Sequence, residues 1–316
     1  MKESLALKKL KGIKPKGVKP RLENTDLEKL LSLGNYFIDQ RSGHFHSRYL
    51  DVDKKYLRKF NKEFDILIKE LELSNDLLTG VINASYQNVS GRDAFVNGIY
   101  SGFLLTELTK RKNKENKLSL FYFNGQGNNF PNLFYRAKRV DVLIVDDVKG
   151  DDVCYELGYT GGKLGLVAGV NLEGEHIFNS LNFHQAGCKA FFAYNVKGDF
   201  SANNLVLGPS EFHGYFHSKS NFVFVPRRKD YPHRLFYDDL DNLNKSKEEL
   251  DQLSSDELFK LFNPKDTQVK VWYEARAGKM FDLLRNLSKN PDQLQSNLRS
   301  IALMSQNYEV KRTYEY

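Results

Sequence analysis

A four-residue phrase, Asn or Asp followed by two variable residues and glycine, recurs five times between residues 88 and 198. The copies are Asn88-Val-Ser-Gly91, Asn124-Gly-Gln-Gly127, Asp147-Val-Lys-Gly150, Asn171-Leu-Glu-Gly174 and Asn195-Val-Lys-Gly198, with glycines 36, 23, 24 and 24 residues apart. A period held over several copies marks units that stack, because each is too small to bury its own apolar face. Each of the last four copies follows a short apolar run: Leu118 to Phe123, Val140 to Val145, Leu164 to Val170 and Ala190 to Tyr194. That is the pattern of a strand running into a turn. A unit of about 24 residues is too short for a strand with a crossover helix, which needs roughly 30 or more.

The expected fold is therefore mainly β with helical caps: a single-stranded parallel, right-handed β-helix of about five coils. Glycine supplies corners where φ is positive without a Cβ clash, and Asn or Asp bonds to backbone at the bend. Asn124, Asp147, Asn171 and Asn195 are expected to form a ladder above one another, with Asn88 and Gly91 starting the column. The residue after each glycine is polar (Arg92, Asn128, Asp151, Glu175, Asp199) and is expected to face water. The competing reading makes these unrelated turns of a sandwich or barrel.

Around the repeat the chain divides into a basic flexible tail (1–24), a helical N-terminal cap (25–78), the β-helix (79–225) and a basic loop with a C-terminal helical region (226–316). The first interval exceeds one coil, so 104–117 is assigned to a helical excursion. Thr25 and Glu28 form a capping-box pattern opening a helix that ends near Gly34, and Asp53 to Leu73 is a second helix by its apolar spacing. Helices are also expected from Ser246, from Ser255, over Val271 to Leu287, and from Pro291.

Net charge is +7, and the segment 1–21 holds it all: Lys2, Lys8, Lys9, Lys11, Lys14, Lys16, Lys19 and Arg21 against Glu3 give 8 − 1 = +7. Such an arm either binds polyanions by phosphate neutralisation or only solubilises. Further basic clusters are Lys110-Arg111-Lys112 and Arg227-Arg228-Lys229. With the tail they outline a candidate surface for RNA, a ribosome or another protein complex.

Catalytic signals are sparse. His44 with His46 and His213 with His217 have ligand-like spacing without a supporting motif, so no metal site is assigned. Gly158 with Gly161-Gly162 lacks the order of a nucleotide loop, and no cofactor is expected. Asp146, Asp147, Asp151 and Asp152 crowd one corner, the basis of an alternative reading as a carbohydrate-acting enzyme. Two cysteines, Cys154 and Cys188, have different offsets from the repeat glycine, which excludes a disulfide framework and favours a reducing cytoplasm. No apolar run approaches the roughly 20 residues of a membrane span, and no secretory leader is expected.

The run Gly150-Asp-Asp-Val-Cys-Tyr-Glu-Leu-Gly-Tyr-Thr-Gly-Gly-Lys163, with the strand after it, resembles the glycine-repeat β-helix that ends glutamate synthase large subunits and occurs in the C subunit of formylmethanofuran dehydrogenase. The likeness covers about residues 140 to 208; only Gly161-Gly162 reproduces the family's glycine pair. The resemblance implies a structural or docking domain without catalytic residues, or a structural subunit of a redox or amidotransfer assembly. The reading that combines these observations is a non-enzymatic cytoplasmic scaffold whose basic arm engages a polyanionic partner.

Overall fold

The computed structural model describes residues 25–41, 54–87, 89, 91–158, 162–179, 181, 188–198, 221–226, 236–239, 243 and 245–306. Four helices come first: α1 (Asp26–Arg41), α2 (Lys54–Leu67), α3 (Asn75–Ser85) and α4 (Gly91–Lys114). Six strands follow, β1 (Leu120–Asn124), β2 (Arg139–Lys149), β3 (Lys163–Glu173), β4 (Ala190–Lys197), β5 (Asn221–Pro226) and β6 (Phe236–Asp239), in one sheet in chain order. The first four are parallel, and β5 and β6 run antiparallel. The chain then forms α5 (Lys247–Gln252), α6 (Ser255–Leu261), α7 (Asp266–Glu274), α8 (Ala277–Arg285), a 3-10 turn (Pro291–Gln293) and α9 (Leu294–Gln306).

This is a helix-rich α/β architecture, 51% helical over the described residues, with four parallel strands in one sheet. It corrects the expectation of a mainly β, five-coil parallel β-helix repeat protein. Three substitutions of structure account for the difference. Gly91 begins α4 instead of turning a coil, β5 reverses direction after β4, and the C-terminal helices cover a face of the sheet.

The stacked period itself has a physical basis in β2 to β4. Arg139 pairs with Lys163, Leu166 with Ala190 and Glu173 with Lys197, each 24 residues on. The segments that follow β1, β2 and β3 stack as well, as a layer of turns joined by backbone hydrogen bonds. Asn132 N–H donates to Asp151 O, Cys154 N–H to Leu133 O, Asp152 N–H to Glu175 O and Phe178 N–H to Val153 O. In the middle segment the amides of residues 152, 154, 156 and 158 point alternately to the later and the earlier neighbour. That alternation comes from left-handed residues at every second position, Asp152, Cys154 and Glu156 here and Asn132, Phe134 and Arg136 before them. Left-handed non-glycine residues carry a conformational cost, which paired backbone groups offset.

The first turn segment has no earlier neighbour, and α4 takes that place. Phe134 N–H donates to Ser101 Oγ at 3.1 Å and Lys138 N–H to Thr106 Oγ1 at 2.9 Å. Gly98 and Gly102 let the helix come this close, since a Cβ there would lie 2.2 Å from Asn132 O or 2.4 Å from Tyr135 O. The helix is therefore buried nearly all round from Ala94 to Thr106.

Two cores flank the sheet. On one face Phe121, Leu143, Val167 and Phe191 meet the turn-layer residues Phe134, Cys154 and Phe178 and the N-terminal helices. On the other, Ile144, Ala168 and Phe192 meet Trp272, Met280, Phe281 and Ile301 of the C-terminal helices. Strands covered on both faces read as continuous apolar runs.

Helix boundaries depart from expectation for identifiable reasons. Thr25 and Glu28 do form the reciprocal cap, but α1 runs through Gly34, whose missing side chain admits the Tyr100 ring. The Tyr100 hydroxyl donates to Leu30 O at 2.7 Å. Capping boxes open α5 at Ser246 and α6 at Ser254, and the left-handed Arg276 splits the expected helix over 271–287 into α7 and α8.

The corners supply a test. A Cβ on Gly198, where φ is +138°, would lie 1.7 Å from Gly174 O, whereas one on Gly127 would meet nothing closer than Asp147 Oδ1 at 3.9 Å. Gly198→Ala is expected to cost about 3 kcal/mol or more in urea unfolding, against about 1 kcal/mol for Gly127→Ala. Equal losses would show that the corners are not in close backbone contact.

Candidate functional site: a basic cleft opposite a polar column

The parallel strands carry different chemistry at their two ends. Toward the carboxyl ends lie the residues expected as a ladder, and a column of polar side chains crosses the sheet there. Asn195 Nδ2 donates to Asn171 Oδ1 at 2.8 Å, and Asn171 Nδ2 to Asp146 Oδ1 at 3.4 Å. Asn124 Nδ2 and the Tyr122 hydroxyl donate to Asp146 Oδ2 at 3.3 and 2.9 Å. Asp146, not Asp147, supplies the carboxylate, because β1 pairs with β2 at an offset of 22 residues, placing Asn124 beside Asp146. Asp147 is left-handed, and its carbonyl accepts from Gly127 N–H at 2.8 Å. Gly150 and Gly174 donate their amides to Glu173 O and Lys197 O, one strand further on. Asn88 lies outside the described residues, and Gly91 begins α4 with φ +59°.

The four aspartates of the alternative reading are engaged separately. Asp146 is fully buried in the column, Asp151 Oδ1 accepts from Glu175 N–H at 2.9 Å, and Asp152 stands 3.6 Å from His176. Among the described residues no three His, Cys, Asp or Glu side chains converge as metal ligands would. The histidine pairs His44 with His46 and His213 with His217, Gly161, the tail residues Lys8, Lys9, Lys11, Lys14, Lys16, Lys19 and Arg21, and Arg227, Arg228 and Lys229 lie outside the described residues.

At the amino ends of the strands a cleft of about 400 Å³ opens between α2, α4 and the starts of β2 and β3. Its charged lining is Lys110, Lys138, Arg139 and Lys163 against Asp65 alone, giving 4 − 1 = +3. Phe64 and Phe103, nearly fully buried, form an apolar floor. Lys138 is held at its backbone from both sides, donating to Thr106 Oγ1 and accepting at its carbonyl from Lys163 N–H at 2.7 Å. Partial burial depresses its ammonium pKa, and the nearby Lys110 and Arg136 depress it further. Lys110 lies 3.4 Å from Glu107; Lys138, Arg139 and Lys163 make no ion pair among the described residues.

Lys110 is thus the one described member of the expected basic set that lines the cleft. Arg111 spends its guanidinium on the fold, donating to Leu71 O at 2.5 Å and Ile68 O at 2.8 Å beyond the end of α2, and pairing with Glu107 at 3.1 Å. Lys112 stands outside the lining. Lys138, Arg139 and Lys163 were not expected from motifs. Their signal was positional: Arg139 and Lys163 are one 24-residue period apart, each opening a strand.

No family model, curated protein or solved structure matches this chain. Among the described residues no helix is long and apolar enough to cross a membrane.

Burial pushes the Asp146 pKa up to about 6 from 3.8, while hydrogen bonds from Tyr122, Asn171 and Ser288 pull the other way and Asp147 adds to the rise. The fold therefore holds this proton more tightly than the unfolded chain does. The stability contribution is full below about pH 4 and lost as pH rises through about 6, amounting to about 3 kcal/mol. Asp146→Asn is expected to remove this slope, so that its stability relative to wild type improves by about that amount between pH 4 and pH 7.5. Parallel urea-unfolding profiles over that range would contradict the assignment.

Proposed function

We propose that this protein is a non-enzymatic cytoplasmic docking protein that holds a phosphate-bearing polyanion, RNA or a ribonucleoprotein, with its basic arm and the cleft at the strand starts. The observation that carries the proposal is the concentration of Lys110, Lys138, Arg139 and Lys163 around one concavity of a body with no net charge outside residues 1–21. Cations held close together against their mutual repulsion are useful where an anion joins them. Lys138 in particular is fixed by backbone bonds, and its ammonium feels Lys110 and Arg136 more than the one acid among the described residues that acts on it, Asp65. The arm adds reach: eight cations mixed with Gly and Pro suit a segment that wraps a charged partner.

Binding of labelled single-stranded RNA to the full chain, followed by fluorescence anisotropy over a salt series, tests this. Replacing Lys138 and Lys163 by Gln is expected to weaken binding and to reduce the slope of log K against log salt by about 1.4, roughly 0.7 for each phosphate no longer neutralised. Removal of residues 1–21 is expected to reduce the slope further. An RNA isotherm indifferent to both changes, or no binding at about 50 mM salt, would sink the proposal.

A further inference from the structure

We infer that the cleft is a site for one compact, multiply charged phosphate group, a phosphomonoester or diphosphate terminus, and not for the interior of a phosphodiester chain. The inference rests on the docking proposal and narrows its ligand.

Four cations line one volume: Lys110 of α4, Lys138 and Arg139 at the start of β2, and Lys163 at the start of β3. Arg139 and Lys163 are direct register partners on adjacent strands, which sets their backbones roughly 4.8 Å apart. Lys138 precedes Arg139, and Lys110 of α4, 3.4 Å from Glu107, lines the same cleft. A phosphodiester chain presents one charge per phosphate, spread along its length, and suits cations laid out as a stripe. Convergent cations suit a group that gathers its charge: a phosphomonoester carries about −1.5 to −2 near neutral pH. The lining charge of +3 matches such a group more closely than a single diester oxygen pair.

The walls favour a terminus as well. Asp65 and Asn61 of α2 also line the cleft, and a chain continuing along α2 would bring its next phosphate toward the Asp65 carboxylate. Asp65 and Asn61 instead offer acceptors and donors to hydroxyl or amide groups attached to the phosphate, above the apolar floor of Phe64 and Phe103. The basic side is preorganised at the backbone. Gly162 packs so tightly that a Cβ would lie 2.3 Å from Lys138 O, and the Lys163 amide is bonded to that same oxygen. The strand starts are thus fixed at the backbone, so the ordering that an arriving anion requires is confined to side chains.

The test compares 5′-phosphorylated and 5′-hydroxyl RNA of one sequence, with inorganic diphosphate as competitor, on the full chain. The phosphorylated end is expected to bind about tenfold more tightly, the equivalent of one charge-assisted interaction, and diphosphate is expected to erase that margin. Lys138→Gln with Lys163→Gln is expected to abolish the margin, Lys138→Arg to keep it, and removal of residues 1–21 to lower both affinities without changing their ratio. Equal affinities untouched by diphosphate, with RNA still bound, would overturn the inference and leave the docking proposal standing. Diphosphate binding lost in the double variant, with neither RNA bound, would uphold the phosphate site, assign it to a free small molecule and overturn the docking proposal. Absence of binding by diphosphate and both RNAs would overturn both. Unchanged thermal unfolding of the variants separates each result from misfolding.

Discussion

The hydrogen bond from the Lys138 amide to Thr106 Oγ1, with its companion from Phe134 to Ser101 Oγ, is the constraint on which the rest of the structure depends. A layer of turns whose amides alternate between neighbours is self-sufficient only in its middle. Its first segment faces nothing of its own kind, and a buried amide left without an acceptor costs about 1 to 3 kcal/mol. Helix α4 answers with hydroxyls spaced along one face and glycines that let the backbone near enough to use them. A helix ends the stack on this side, where a further coil would only have moved the same problem one layer outward.

The same seating creates the cleft. Thr106 fixes the Lys138 backbone, and Lys110, one turn further along α4, is carried to the same concavity. The strand register contributes Arg139 and Lys163. At the opposite ends of the strands, the amide column with Asp146 at its centre ties β1, β2, β3 and β4 side to side. One end of the sheet is closed by mutually satisfied polar groups, while the other holds cations in excess of acids, and the docking proposal is built on this polarity.

Much of the sheet was legible. The glycine intervals gave the 24-residue register of β2 to β4, and Asn171 and Asn195 do bond one above the other. What the period did not disclose was how few strands it governs. Residues 94 to 106 are buried on every side, so they lack the one-sided apolar spacing by which a surface helix is recognised, and they were divided between a coil and an excursion. Gly98 and Gly102, four residues apart, were the available sign of a helix pressed against backbone. Gly34 looked like a terminator because its reason for being glycine, the Tyr100 ring, is 66 positions away. The basic clusters divided for a similar reason: Arg111 and Lys110 are neighbours in sequence, but one turn direction leads to the carbonyls of Ile68 and Leu71 and the other to the cleft. Nothing short of the register brings Arg139 and Lys163 together.

The most direct measurement of the central claim combines amide hydrogen exchange at Lys138 with diphosphate affinity in two variants of Thr106. Thr106→Ser keeps the acceptor and is expected to retain both slow exchange and affinity. Thr106→Val keeps the shape, removes the acceptor, and is expected to speed exchange at Lys138 and weaken diphosphate binding about tenfold. If valine leaves exchange at Lys138 and diphosphate affinity unchanged, helix α4 does not hold the first turn in the manner described, and the cleft does not depend on it.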